Sequence, residues 1–291
     1  MIVSLVPDVD RVMRWDRYIG AIVDNESRAL QKFAFDVAIE ALEQMRVRFN
    51  LIDEVPTISV IRDESINAGV LYGLIQINTG LLQIIFDPPV VDSFPVLGLR
   101  VPKDLLSGFM LAWVFAHEYS HENRKHTTLE ERFAGDPQVC QALEYDADMC
   151  ATAALYREIQ FYAPPGTPDI SCREICIYSI YCILKALPSA PGSRSHMSSL
   201  CRIGYAMRKI SSMNSASLST GINEPDAAIY DEIMGRMVDL LIRLERGFCA
   251  ANGHTLDAEA VLSDLLGDGD VPFLKWQEIR GHVYDVSGIR A

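Results

Sequence analysis

The chain has 291 residues, of which 49% are hydrophobic, and its 39 acidic and 26 basic side chains give a formal net charge of −13. This length and hydrophobic content suffice to bury a sizeable core, in one large domain or one domain with appendages, and they argue against disorder. The negative charge argues against a nucleic-acid-binding protein and favours partners that are basic or neutral.

Three features of the sequence bear on the cellular compartment. The amino terminus lacks a basic segment followed by a sustained apolar run, so a secretory signal is not expected. The longest apolar runs, residues 105–116 and 175–184, are shorter than the ~20 residues that a helix needs to cross a bilayer. The seven cysteines form an odd, scattered set that is typical of a reducing compartment. The sequence therefore predicts a cytoplasmic protein without a membrane span.

Helical periodicity dominates the chain, and a short β region precedes its centre. Residues 26–49 place apolar side chains on one helix face, whereas 55–62 and 71–78 have the apolar patterns of strands. Further helices are expected near residues 172–187, 197–211, 226–250 and 256–266. We therefore predict a mainly α-helical α+β fold, with an N-terminal helical segment over 1–54, a central core over 55–210 and a C-terminal helical region over 211–291, unless all three form one domain.

The most informative segment follows the small predicted sheet. An almost entirely apolar helix, residues 105–116, leads directly into His117-Glu118-Tyr119-Ser120-His121. Histidines four residues apart lie on one helix face and can share a tetrahedral zinc ion, while Glu118 points beside them toward a metal-bound water. Buried polar groups need partners, and a metal supplies them. Hydrogen bonds within an ordinary core helix are the alternative explanation for the histidines.

A third ligand is expected from the next helix. Asp136 followed by Pro137 is a helix start signal, and the helix predicted from there runs to about Tyr162. Glu144 and Asp148 share one of its faces with small residues. This helix can therefore closely approach the helix that carries His117 and His121, which we call the metal helix. We expect Glu144 to be the third zinc ligand and Asp148 to hydrogen-bond the far ring nitrogen of His117.

Other side chains compete for the third ligand position. His126 is the main rival. It falls one residue short of the position that the metzincin motif gives its third histidine, and the glycine that this motif needs for its turn is missing, so the metzincin class is not expected. Arg124 to His126 suit the negative end of the metal helix, and Glu130 with Glu131 have the pattern of a solvated turn. The remaining candidates are Glu122 and Asp146.

Three segments in this order resemble the gluzincins, and among them the family of the membrane protease HtpX and the CAAX prenyl proteases. The segments are Asn67-Ala68 with Gly73 to Leu82, then Glu144-Tyr145-Asp146-Ala147-Asp148, then Ser195-His196 followed by Arg202-Ile203. Met197 stands where that family has proline, and the gap from His121 to Glu144 is shorter than in that family. These departures leave room for a sister group, such as the phage-exclusion peptidase Lit or the ImmA-type regulatory peptidases.

The resemblance implies roles for two further residues. His196 would donate a hydrogen bond to the oxyanion of a tetrahedral intermediate, and Arg202 would orient Glu144 or another buried carboxylate. A plain loop histidine and an ordinary surface ion pair are the alternatives for these two residues. The strand that includes Gly73, Ile75 and Ile77 is expected to offer an exposed edge to an extended peptide, although its apolar residues would equally suit a core strand.

These observations predict a zincin-like metallopeptidase core with a small β-sheet beside the metal helix. One Zn²⁺ per chain would lower the pKa of its bound water toward ~7, and Glu118 would act as general base on that water. The substrate would be a protein or peptide, and control of such an enzyme would call for a regulatory partner or activator. The alternatives are a catalytically silent zinc-binding regulatory protein and a protein that binds no metal.

Overall fold

The computed structural model describes residues 11–48, 55–71, 73–87, 101–187, 197–213, 227–266 and 271–288. Most of them are helical, and the strands form one small mixed sheet, so the expected mainly α-helical α+β class is confirmed. The helices are α1 Trp15–Gly20, α2 Asn25–Arg48, α3 Thr79–Phe86, α4 Lys103–Asn123, α5 His126–Arg132, α6 Pro137–Tyr162, α7 Asp169–Ala186, α8 Ser199–Ser212, α9 Ala227–Ala251, α10 Ala258–Leu266 and α11 Val271–Ser287. The strands are β1 Val12–Arg14, β2 Thr57–Ile61, β3 Ala68–Leu71 and β4 Leu74–Asn78.

The sheet has the order β1-β2-β4-β3, with β2 and β4 parallel and the two outer pairings antiparallel. The strand predicted over 71–78 is confirmed over 74–78, where it forms β4, but the chain reverses just before β4, and the hairpin with β3 was not predicted. Gly73 has a φ of 73° in the turn after β3, a backbone conformation that glycine adopts without the penalty of a side chain. Because the residues on both sides of this turn are apolar, the sequence pattern does not separate the two strands of the hairpin.

The prediction that Gly73, Ile75 and Ile77 belong to an exposed edge is wrong. Strand β4 pairs with β2 on one side and with β3 on the other, and both isoleucines are 0% exposed. Because β4 is held on both sides, its backbone groups are already paired within the sheet. Among the described residues, β3 has β4 as its only strand neighbour, so the free edge on this side of the sheet belongs to β3.

Helix α4 lies at the centre of the molecule and packs against α2, α6 and the sheet. A Cβ atom added at Gly108 would lie 2.9 Å from Val37 Cβ, so glycine permits the close approach of α2 and α4. On α6, Ala147 and Ala151 are fully buried and let that helix approach α4. The polar face of α4 is therefore held next to the face of α6 that carries Glu144 and Asp148.

The later helices follow the predicted pattern, with two additions. Helices α7 to α10 lie where the periodicity predicts them, and Asp136 caps α6 by accepting a hydrogen bond from the Gln138 backbone N–H at 2.9 Å. The segment with Glu130, expected to be a solvated turn, is the short helix α5. Helix α11 was not predicted, although Trp276, Ile279 and Val283 line its buried face.

One apolar core extends from Ile19 in α1 to Leu265 in α10, and a smaller cluster joins α5, α6 and α11. The division of the chain near residues 54 and 210 stays a prediction, and buried residues from both sides of each boundary share the larger core. Within the described ranges, every helix is too short or too polar to cross a lipid bilayer.

Candidate metal centre

Two histidines of α4 point into one cleft. His117 and His121 are separated by one helical turn, and their Nε2 atoms lie 3.1 Å apart. His117 is buried among core residues, and its ring stacks on Trp113, one turn earlier, with 5.6 Å between ring centroids. The packing of α4 therefore holds both ring nitrogens on the same side of the helix.

Glu144 of α6 completes a group of three ligands. Its Oε2 lies 3.5 Å from His117 Nε2, and its Oε1 lies 3.6 Å from His121 Nε2. Among the described residues, these three are the only His, Cys, Asp and Glu side chains that converge in this way. A tetrahedral zinc ion with metal to ligand bonds near 2 Å separates its ligand atoms by about 3.3 Å. The three side chains thus fit a zinc ion in both donor type and spacing.

The ring nitrogen of His117 that faces away from the ligand group contacts a buried ion pair between Asp148 and Arg202. Asp148 Oδ1 lies 3.0 Å from His117 Nδ1, close enough for an ion pair although not aligned as a linear hydrogen bond. Arg202 of α8 donates two hydrogen bonds to Asp148, Nε to Oδ2 at 2.7 Å and Nη2 to Oδ1 at 2.6 Å. The Arg202 guanidinium also lies over the Trp113 ring, 5.5 Å from its centroid. Arg202 therefore contacts Asp148, so a buried carboxylate other than Glu144 is among its partners.

The two histidines differ in how readily they take a proton. Burial lowers the pKa of His117, but the contacts with Asp148 and Glu144 outweigh burial and raise that pKa to about 10. Burial holds the pKa of His121 well below its ordinary value, despite the nearby charge of Glu144. Without a metal ion, the His117 Nε2–H can donate to the lone pair of His121 Nε2. A cation bound by these nitrogens would take the place of that proton.

His126 lies on the opposite side of His121 from the ligand group. Its Nδ1 is 3.0 Å from His121 Nδ1, whereas the Nε2 atom of His121 faces His117 and Glu144. The Nε2 of His126 is 3.2 Å from Asp146 Oδ2, so the Asp146 carboxylate contacts His126 and not the ligand group. Neither rival is therefore placed as a third ligand in this structure. The contact between His121 and His126 was not predicted from the sequence.

Glu118 lines the same cleft, which has a volume of about 830 Å³. Burial raises the pKa of its carboxyl to about 7, an effect that Glu144 strengthens and that His117 and Arg202 oppose. No described residue donates a hydrogen bond to this carboxylate. Glu118 is thus an uncommitted carboxyl group, beside the three possible ligands, that can hold or release a proton near neutral pH.

The remaining predicted site residues have mixed outcomes. His196 lies outside the described residues, while Met197 and Arg202, which follow it, line the cleft. Gly73, Ile75 and Ile77 do not line the cleft, and its sheet side is formed by Ala68 and Val70 of β3 together with Ile66 and Asn67. The sheet therefore borders the cleft as expected, but through a different strand.

Two histidines one turn apart and a glutamate from a neighbouring helix could hold a metal ion, and the carboxyl group beside them could take up or release a proton. Residues 104–222 match the model of a protein family described as Peptidase U49. The matched span runs from α4 through α8, so it includes the three converging side chains, Glu118 and the Asp148–Arg202 pair. The match supports a peptidase. No curated protein and no solved structure matches the chain.

Proposed function

We propose that the chain is a zinc-dependent endopeptidase of gluzincin type that hydrolyses peptide bonds in a protein substrate. The observation that carries this proposal is the convergence of His117, His121 and Glu144 beside the uncommitted carboxyl group of Glu118. The match to a peptidase family supports the peptide bond as the target of the site. The likeness of the sequence to HtpX and the CAAX prenyl proteases supports the gluzincin type.

His117, His121 and Glu144 would hold Zn²⁺, leaving the cleft side of the ion open. A zinc ion in such a site lowers the pKa of a bound water toward ~7 and polarises a carbonyl group. Glu118 would accept a proton from the attacking water and deliver it to the leaving nitrogen. Asp148 and Arg202 would keep the His117 ring oriented, since the ion pair holds its far nitrogen.

The substrate would lie along β3, the outer strand of the sheet. Ala68 and Val70 of this strand line the cleft, and an extended peptide can add to a free strand edge through main-chain hydrogen bonds. A peptide bound in this way would place one of its peptide bonds next to Glu118. Because main-chain groups make the hydrogen bonds, the substrate would need no particular side chain. On family likeness, His196 is proposed as a donor to the oxyanion, and an activator or regulatory partner as the control. The odd, scattered set of cysteines supports the cytoplasm as the proposed location.

Replacement of Glu118 by glutamine tests the proposed base. The substitution Glu118→Gln keeps the size of the side chain and removes its ability to accept the proton, so cleavage of unfolded polypeptides should fall by at least 100-fold while zinc stays bound. Glu122→Gln is the matched control, because Glu122 lies one turn further along α4 and pairs with Lys125 at 3.2 Å. The control should cleave like the wild type.

Two other results would count against the proposal. Full activity in the Glu118→Gln variant would show that another group takes the proton. Stoichiometric zinc without hydrolysis of any offered polypeptide would favour the silent zinc-binding regulatory protein instead.

A further inference from the structure

His126 is the first residue of α5 and is 0% exposed, between α4 and α6. The residue before it, Lys125, has a φ of 54° and a ψ of 41°, a left-handed conformation that is unusual for a residue with a side chain. This reversal follows the end of α4 at Asn123 and turns His126 back toward His121. The two rings meet edge to face, with 4.8 Å between centroids and an interplanar angle of 89°.

The far nitrogen of His126 is held by a buried carboxylate. Asp146 Oδ2 lies 3.2 Å from His126 Nε2, and it also lies 3.2 Å from Arg124 Nε. A carboxylate oxygen can only accept a hydrogen bond, so the hydrogen of this contact belongs to His126 Nε2. In a neutral ring the other nitrogen, Nδ1, then carries a lone pair.

That lone pair determines where His121 carries its hydrogen. The two Nδ1 atoms lie 3.0 Å apart, and one hydrogen must lie between them. Since Nδ1 of His126 is the acceptor, His121 donates from its own Nδ1. Its Nε2 is then left unprotonated and faces Glu144 and His117, as a metal-binding imidazole nitrogen must be.

We propose that His126 and Asp146 are positioning residues that set the tautomer and ring orientation of His121 for zinc binding. This inference rests on the proposed zinc peptidase function. It gives each histidine ligand its own buried carboxylate, because Asp148 contacts His117 directly whereas Asp146 reaches His121 through the ring of His126. A carboxylate, a histidine and a metal in series are a common means of fixing a ligand. Here a second imidazole extends that series.

The spacing of α6 explains why an intermediate ring is needed. Glu144 and Asp148 are four residues apart and share the face directed at α4. Asp146 is two residues from each of them and lies on another side of α6, where it contacts Arg124 and His126. His126 fills the space between Asp146 and His121 and leaves neither polar group without a partner.

Zinc affinity of the untagged full-length chain, measured by competition with a chromophoric chelator, tests the proposal. His126→Leu removes the acceptor for His121 and should weaken zinc binding about 10- to 100-fold, the usual effect of losing such a partner. His126→Asn can place an amide oxygen near the former Nδ1 position and should restore most of the affinity. His126→Gln reaches the Nε2 position instead, so it should stay as weak as the leucine variant. His282→Leu, on α11, is the matched control and should bind zinc like the wild type.

The results separate this inference from the proposed function. A wild-type chain that binds no zinc would refute the proposed function itself. A wild type that binds zinc, with His126→Asn and His126→Gln equal in affinity, would overturn the positioning role alone. The contrast between those two polar variants remains decisive if His126→Leu does not fold. Nitrogen NMR of the metal-free chain gives a second readout, in which a hydrogen on Nε2 of a neutral His121 would contradict the proposal.

Discussion

Removal of the Asp148 carboxylate would leave a buried positive charge without its partner. Asp148 is 2% exposed, and Arg202 meets it with two hydrogen bonds while lying over Trp113. Loss of one partner from a buried ion pair costs about 3–5 kcal/mol, far more than loss of an exposed pair. We therefore expect Asp148→Leu to lower the free energy of unfolding of the metal-free chain by about 3–5 kcal/mol.

A double-mutant cycle shows whether the cost comes from the unpaired charge. Arg202→Met in the Asp148→Leu background removes that charge, so the double variant should be more stable than the sum of the two single losses predicts, by at least about 2 kcal/mol. Urea unfolding in the presence of a chelator measures all four proteins without the contribution of metal. Zinc affinity should nevertheless stay reduced about 10- to 100-fold in the double variant, because His117 still lacks its carboxylate.

Protonation of Asp148 at low pH should remove the stabilisation that its pair with Arg202 provides. Burial tends to raise the pKa of Asp148, but Arg202 and His117 outweigh it and lower that pKa below its ordinary value. The contribution of the pair is therefore present above pH ~4 and is lost as the pH falls further, through the pKa of the folded state. Single-variant losses that add to within ~0.5 kcal/mol in the double variant would refute this account of the pair.

Three further changes have defined outcomes. Glu144→Ala should weaken zinc binding by more than about 100-fold in the same chelator competition, whereas Glu130→Ala, on the cleft wall, should leave it unchanged. Burial raises the pKa of Glu158 to about 7, so its cost to stability grows as the pH rises from about 4.5 to 7. Glu158→Gln should therefore stabilise the chain by about 1–2 kcal/mol at pH 8 and little at pH 4.5 in urea unfolding, and equal gains at both would contradict this. Val70→Lys, on the cleft edge of β3, should raise KM several-fold with little change in kcat, while Gly69→Ala, on the other face, should change neither.

The sequence was most informative where a local rule decides the geometry. The spacing of His117 and His121 requires only that α4 be a helix, and the start of α6 at Asp136 and Pro137 carries its own capping signal. The positions of Glu144 and Asp148 on one face then follow from helical periodicity. These parts of the site could be predicted because each depends on residues close together in the chain.

The parts that were missed depend on turns and on contacts between elements. The reversal at Gly73 divides an apolar run into β3 and β4, and the alternation of side chains does not reveal which strand lies outside. The left-handed conformation at Lys125 brings His126 back to His121, and no spacing rule predicts it at a lysine. Helix α11 was overlooked even though Trp276, Ile279 and Val283 have helical spacing, so that signal was available.

Stepwise return of zinc to metal-free protein tests the central claim most directly. Untagged chain is stripped with a chelator and given increasing amounts of zinc, and the new peptide ends that it generates in a whole proteome are counted at each step. The proposed site predicts few new ends without zinc, a linear rise, and a plateau at one zinc per chain. New ends that appear equally in the stripped protein, or a Glu118→Gln variant that produces as many as the wild type, would contradict the claim.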